Sequence, residues 1–125
     1  MNSREKGYIG EETAAEYLRS IGYGILERNY TIKGGETDII AVDGNTLVFV
    51  EVKCRVMRKD TESPCEAVDR KKTAMLVRCA RNYIIAKKDV AGNMPVRFDC
   101  IEVMFPSVPF GEIAEINHIK GIDAY

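Results

Sequence analysis

Gly35-Glu36-Thr37-Asp38-Ile39-Ile40-Ala41-Val42-Asp43-Gly44-Asn45-Thr46-Leu47-Val48-Phe49-Val50-Glu51-Val52-Lys53-Cys54 is the stretch that decides the fold. Two apolar runs flank Asp43-Gly44-Asn45, a strong signal for a tight β-hairpin. The second run has no regular polar alternation over Leu47 to Val50, so it reads as a strand buried on both faces. Glu51 and Lys53 interrupt it. Side chains two apart on a strand share a face, about 6.6–6.8 Å from each other. Unpaired charges buried there cost several kcal/mol, so both need partners.

The hairpin supplies them. If Gly44-Asn45 is the loop, Asp43 pairs with Thr46, Asp38 lies opposite Glu51, and Glu36 lies opposite Lys53. If Asp43-Gly44 is the loop, Glu36 faces Glu51 and Asp38 is one diagonal away. Opposed β-carbons sit about 4.5–5.5 Å apart, and either register keeps Asp38, Glu51 and Lys53 on one face. Carboxylates forced together repel unless a cation sits between them or one takes a proton. Mg²⁺, or Mn²⁺ with its similar taste for oxygen, suits one or two carboxylates plus waters and phosphate oxygens. Such an ion would stabilise charge developing on a phosphate, with the lysine orienting or deprotonating a water. The alternative is a buried Asp38–Lys53 or Glu51–Lys53 ion pair with no catalysis.

Outward from the hairpin, residues 3–21 predict a helix with an apolar stripe at Ala14, Tyr17, Leu18 and Ile21, stopped by Gly22. Glu11 lies about 60° from the centre of that stripe and can reach the sheet, whereas Glu12 is expected to face water. Acids in an early helical turn are also favourable for the helix alone. Residues 23–32 read as a strand, 33–35 as a turn, and 36–42 and 46–54 as the hairpin strands. Pro64 suits the first turn of a long helix to about Lys88, with Val68, Met75, Leu76, Cys79, Ala80, Tyr83 and Ile84 as its apolar stripe. Strands are expected at residues 96–104 and 112–119. The order αβββαββ gives an α/β (mixed α+β) domain over residues 1–125, a small mixed sheet flanked by helices.

Composition agrees with one globular unit: of 125 residues, 46% are hydrophobic and 30% charged, which excludes a disordered or fibrous chain. No apolar run approaches the roughly 18 residues of a membrane helix, and no secretory stretch follows the start, so the expectation is cytoplasmic with no membrane partner. Cys54, Cys65, Cys79 and Cys100 form no C-x-x-C pair, and a cytosolic compartment predicts four reduced thiols. One histidine, His118, argues against a histidine-rich metal site and reads as structural. Tyr8, Tyr17, Tyr23, Tyr30 and Tyr83 fall on positions a core needs.

The net charge of −1 hides a segregation. Residues 1–51 carry 5 basic and 9 acidic side chains, residues 52–88 carry 11 and 4, and residues 89–125 carry 2 and 6. The central segment, with Arg55, Arg70, Lys71 and Lys72, has the electrostatic footprint of a phosphate-backbone binder. A solvated helix face laced with ion pairs gives the same count.

The ordered set Gly10-Glu11-x-x-Ala14-Ala15-x-x-Leu18, Gly22-Tyr23, Arg28-Asn29-Tyr30, Gly35-Glu36-x-Asp38-Ile39-Ile40 and Val48-Phe49-Val50-Glu51-Val52-Lys53-x-Arg55 resembles the YraN family. Ala67-Val68, Lys72, Arg97-Phe98-Asp99, His118-Ile119 and Ala124-Tyr125 extend the similarity over essentially the whole chain. That family is similar to the restriction-endonuclease-like PD-(D/E)XK nucleases and, in pattern, to archaeal Holliday-junction resolvases. The resemblance implies Asp38 as the motif aspartate, Glu51 and Lys53 as the (D/E)-x-K pair, and Glu11 as the first-helix glutamate. Asp38, Glu51 and Glu11 would ligate Mg²⁺ with the Val52 carbonyl, Lys53 would orient water, and Arg55 would contact phosphate. Glu36 matches a family position without an assigned role. Thr31, Thr37 and Cys54 depart from the arginine, aliphatic residue and threonine common in relatives.

The expected function is a metal-dependent endonuclease hydrolysing DNA phosphodiester bonds, extending to branched or structured DNA, with DNA favoured over RNA. A junction substrate would suit a symmetric homodimer. The alternatives are a nucleic-acid-binding module that does not cut and a protein-interaction domain with a buried ion network.

Overall fold

The computed structural model describes residues 3–56, 70–105 and 115–122, and of residues 3–6, 56 and 70–72 the backbone alone. Helix α1 (Ser3–Ser20) leads into strands β1 (Gly24–Ile32), β2 (Gly35–Asp43) and β3 (Thr46–Val56). Helices α2 (Arg70–Ala86) and α3 (Lys88–Ala91) precede β4 (Val96–Phe105) and β5 (Glu115–Ile119). The five strands form one mixed sheet in sequential order, β1-β2-β3-β4-β5. β3 and β4 are parallel and the other neighbours antiparallel. This is the expected mixed α/β architecture, compatible with a restriction-endonuclease-like core, with α3 as an addition to the predicted element order.

The hairpin takes the first of the two registers: Asp43 pairs with Thr46, and the ladder runs to Ile39 opposite Val50. Gly44 carries the loop's positive φ of 59°, a conformation that costs glycine nothing. β3 is the centre of the fold, with helices on both faces. Val48 and Val50 pack with Ala14, Ala15 and Leu18 of α1, and Leu47 and Phe49 pack with Ala80 and Tyr83 of α2. All four β3 side chains are fully buried, about 6–12 kcal/mol of gross apolar burial, enough to carry a paired carboxylate further along the strand.

Two glycines set the helix distances. A Cβ on Gly10 would fall 1.9 Å from Cys54 Sγ, so α1 rests directly on the β3 side chain that faces it. A Cβ on Gly35 would fall 2.7 Å from Met75 Cγ, where α2 crosses the start of β2.

Some expectations need correction. Ile21 is exposed and Ala15 is fully buried, so the α1 stripe is Ala14, Ala15 and Leu18 with Tyr17 at its margin. Tyr8 is also exposed, whereas Tyr23 and Tyr83 are core. Glu12 is not simply solvated: its carboxylate pairs with Arg28 at 2.9 Å. Cys54 and Cys79 are thiols, but Cys100, fully buried on β4, is disulfide-bonded. Redox poise sets whether thiols stay reduced on average, whereas the fold decides which sulfurs come together. Pro64, Cys65, Val68, residues 112–114 and Ala124-Tyr125 lie outside the described residues. Among the described residues, no helix is long and apolar enough to cross a membrane.

Candidate metal centre

Besides a bulge between Ile25 and Glu27 of β1, the sheet opens around Asp38. The β2–β3 ladder ends at Ile39–Val50, one step short of the expected Asp38–Glu51 pair. The β1–β2 ladder skips the same residue, passing from Arg28–Ile39 to Tyr30–Thr37. Asp38 therefore sits at a local opening with no ladder partner on either side. Its carboxylate fills the gap, accepting a hydrogen bond from the Val52 N–H at 2.7 Å. A backbone donor that would otherwise be orphaned is thereby satisfied.

Three carboxylates converge there: one oxygen each from Glu11 of α1 and from Glu36 and Asp38 of β2 lie within 4.8 Å of one another. Oxygens trans across a Mg²⁺ ion are about 4.2 Å apart and those in cis about 3 Å, so a modest contraction would close the set. The donors are all hard oxygens, as Mg²⁺ and Mn²⁺ require. Burial pushes the Asp38 carboxyl up to about 8, the Glu51 and Glu11 charges push the same way, and the Val52 N–H opposes them. These effects favour the protonated carboxyl of Asp38 at neutral pH.

Glu51 is buried, and Lys53 Nζ lies 3.5 Å from its Oε1. The ion pair weighed from the sequence is therefore present, alongside the three-carboxylate cluster and not instead of it. Glu51 acts on Asp38 through its charge, but the tightest group has Glu36 where the motif reading had Glu51. The signal was in the sequence, because Glu36 and Asp38 are two apart on a strand and share a face. Arg55 is exposed near the end of β3. Arg70, Lys71 and Lys72 form the first turn of α2, and their side chains lie outside the described residues. Arg78 and Arg81 are exposed further along that helix, and Arg78 Nη2 donates to the Gly34 carbonyl at 3.3 Å.

A second polar cluster went unread in the sequence. Asp99, fully buried on β4, accepts from Arg97 Nε at 2.8 Å and Nη2 at 2.9 Å, and from the Gly121 N–H at 3.0 Å. His118 Nε2 lies 2.8 Å from Asp99, and its Nδ1 lies 3.1 Å from the Tyr17 hydroxyl. Arg97 also donates to Asp43 at 2.9 Å and to the Tyr23 hydroxyl at 2.7 Å. Burial alone would raise the Asp99 carboxyl, but the His118, Arg97 and Gly121 hydrogen bonds outweigh it and hold it at about 2. These bonds tie β4 and β5 to α1 and to the hairpin end, so His118 has a structural setting. Nineteen residues separate Asp99 from His118, which hid the pair from a local reading.

A family model described as an uncharacterised protein family, UPF0102, matches residues 10–103. The chain is 47% identical over 120 residues to a UPF0102 protein of Caldicellulosiruptor saccharolyticus, covering 96% of this chain and 98% of the relative. A UPF0102 protein of Clostridioides difficile is 48% identical over 119 residues, 95% and 96% of the two chains. A third, from Carboxydothermus hydrogenoformans, is 50% identical over 86 residues, 67% and 70% of the two.

Proposed function

The chain belongs to the UPF0102 family, the YraN family of the sequence resemblance, and on that premise we propose that it is a divalent-metal-dependent nuclease acting on DNA phosphodiester bonds. The observation that carries the reading is the convergence of Glu11, Glu36 and Asp38 beside the Glu51–Lys53 pair, where Asp38 has no ladder partner in either neighbouring strand. A purely structural ion network would bring a cation to each buried carboxylate. Here three carboxylates face one another, Glu11 and Asp38 half-buried and Glu36 at the exposed rim, an arrangement that a cation or a proton on Asp38 relieves.

Asp38, Glu11 and Glu36 would hold Mg²⁺ or Mn²⁺, with Glu51 and the Val52 carbonyl completing the set as substrate binds. When bound, the ion supplies charge stabilisation at the phosphate and a more acidic coordinated water. Lys53, its head group held near the site by Glu51, orients the attacking water towards phosphorus. As that water bonds to phosphorus it gives a proton to solvent, the P–O bond to the departing nucleotide breaks, and the leaving oxygen takes up a proton from solvent. Arg55 and the first turn of α2 grip phosphates flanking the scissile one, largely without reading sequence.

The test is cleavage of labelled single-stranded, duplex, flap and four-way-junction DNA with Mg²⁺ or Mn²⁺ against EDTA, wild type beside Lys53→Ala. Metal-dependent cutting lost in the variant is the expected result. Mobility shifts without cutting on any substrate would instead indicate a nucleic-acid-binding module.

A further inference from the structure

Among the described residues, Asn29 is the non-glycine residue with positive φ, at 53°. That left-handed conformation is costly for most side chains and tolerated best by asparagine and aspartate. Asn29 occupies the position at which the β1–β2 ladder skips a pair, across from Asp38. Its side-chain amide lies against the Glu11 carboxylate, and the amide orientation that satisfies both groups, with O and N exchanged so that nitrogen faces α1, donates to both Glu11 oxygens, at 3.1 Å to Oε2 and 3.2 Å to Oε1. The preceding residue, Arg28, pairs with Glu12 at 2.9 Å. Consecutive residues of β1 therefore engage consecutive residues of α1. A regular strand cannot do this, because neighbouring side chains point to opposite faces. The left-handed turn of the backbone at Asn29 brings both side chains to the same helix, which gives the strain a purpose.

We propose that Asn29 is a positioning residue that fixes the Glu11 carboxylate for cation binding, its two-oxygen contact orienting a ligand that the helix alone would leave free to rotate. This rests on the reading of Glu11, Glu36 and Asp38 as cation ligands. Partners of this kind, outside the metal's own ligands, typically change affinity about 10–100-fold when removed.

Asn29→Gly is the informative variant, because glycine adopts positive φ without strain and the substitution removes only the amide. Mn²⁺ binding to the full chain, measured by electron paramagnetic resonance of the free ion and by calorimetry, is compared for wild type, Asn29→Gly, Glu11→Gln and the double variant. Expected is a thermal midpoint for Asn29→Gly close to wild type, with Mn²⁺ affinity weaker by about 10-fold or more. In the Glu11→Gln background the same change should cost nothing further, since Asn29 acts through that carboxylate. Equal Mn²⁺ affinity in wild type and Asn29→Gly overturns the assignment while leaving the cation site standing. So does equal weakening in both backgrounds. Absence of Mn²⁺ binding to wild type overturns the cation reading itself, and the assignment with it.

Discussion

The Asp38 carboxylate accepts the Val52 N–H at 2.7 Å, just past Ile39–Val50, the last rung of the β2–β3 ladder. One side chain thus does what a backbone carbonyl does elsewhere in the sheet, and in doing so is held half-buried beside Glu11, Glu51 and the exposed Glu36. Local opening of the strands and accumulation of negative charge are the same structural event.

That event makes stability depend on pH in a defined direction. Burial and the neighbouring carboxylates raise Asp38 from 3.8 to about 8 in the folded protein. Between those values the native state binds more protons than the unfolded chain, so this group's contribution is full below about pH 4 and lost as pH rises towards 8. In EDTA, the urea midpoint of wild type should fall between pH 5 and pH 8. Asp38→Asn keeps an acceptor for Val52 and should lack that slope, becoming more stable than wild type at pH 8. Mg²⁺ should raise the wild-type thermal midpoint more at pH 8 than at pH 5.5, because it competes with the proton. Parallel profiles for the two proteins would sink this account.

Thr37 carries a second, simpler prediction. It is fully buried, and its hydroxyl has no hydrogen-bond partner. An unsatisfied buried hydroxyl costs about 1–3 kcal/mol, and valine has nearly the same shape. Thr37→Val should therefore raise the urea midpoint by the equivalent of about 1 kcal/mol with an unchanged m-value. A lower midpoint would mean that the hydroxyl is satisfied by a water or a ligand at the opening.

The hairpin was legible because two apolar runs about a Gly-containing turn are a local signal, and Asp38, Glu51 and Lys53 stood out within it, but two registers were open and only the Asp43–Thr46 pairing chose between them. Local signals also placed the α2 stripe at Leu76, Cys79, Ala80 and Tyr83, all buried. The helix face of α1 was misjudged by one residue, Ile21 for Ala15, because the helix ends before Ile21 reaches the sheet. What escaped the sequence was set by distance along the chain. Asn29 meets Glu11 across a strained backbone that no propensity reports, and Asp99 meets His118, Tyr17 and Arg97 only after β4, β5 and α1 have assembled. Glu36 was visible as a strand neighbour of Asp38, yet only the turn of Glu11 towards both singled it out.

Gly10 tests how tightly α1 is seated. A Cβ there would lie 1.9 Å from Cys54 Sγ, far inside contact distance. Gly10→Ala should destabilise by about 1–3 kcal/mol despite alanine's better helix propensity. Because Glu11 is the next residue, the shift of α1 should also weaken Mn²⁺ binding. Combining Gly10→Ala with Cys54→Ala removes the colliding sulfur and should recover most of both losses. Additive losses in the double variant would show that the glycine answers to something other than Cys54.

The Asp99 cluster predicts acid sensitivity of the opposite sign to Asp38. Its carboxyl is held at about 2 by His118, Arg97 and Gly121 against the effect of burial, so the stabilisation is full above about pH 4 and lost as pH falls towards 2. Asp99→Asn leaves Arg97 with Asp43 and Tyr23 but strips the charge from a fully buried site. Removing one partner of such a pair costs about 3–5 kcal/mol. The difference in unfolding free energy between wild type and Asp99→Asn should hold steady from pH 7 to pH 5 and shrink below pH 4. A variant that folds at wild-type stability, or a gap that stays constant to pH 2, would show that Asp99 does not hold these elements together.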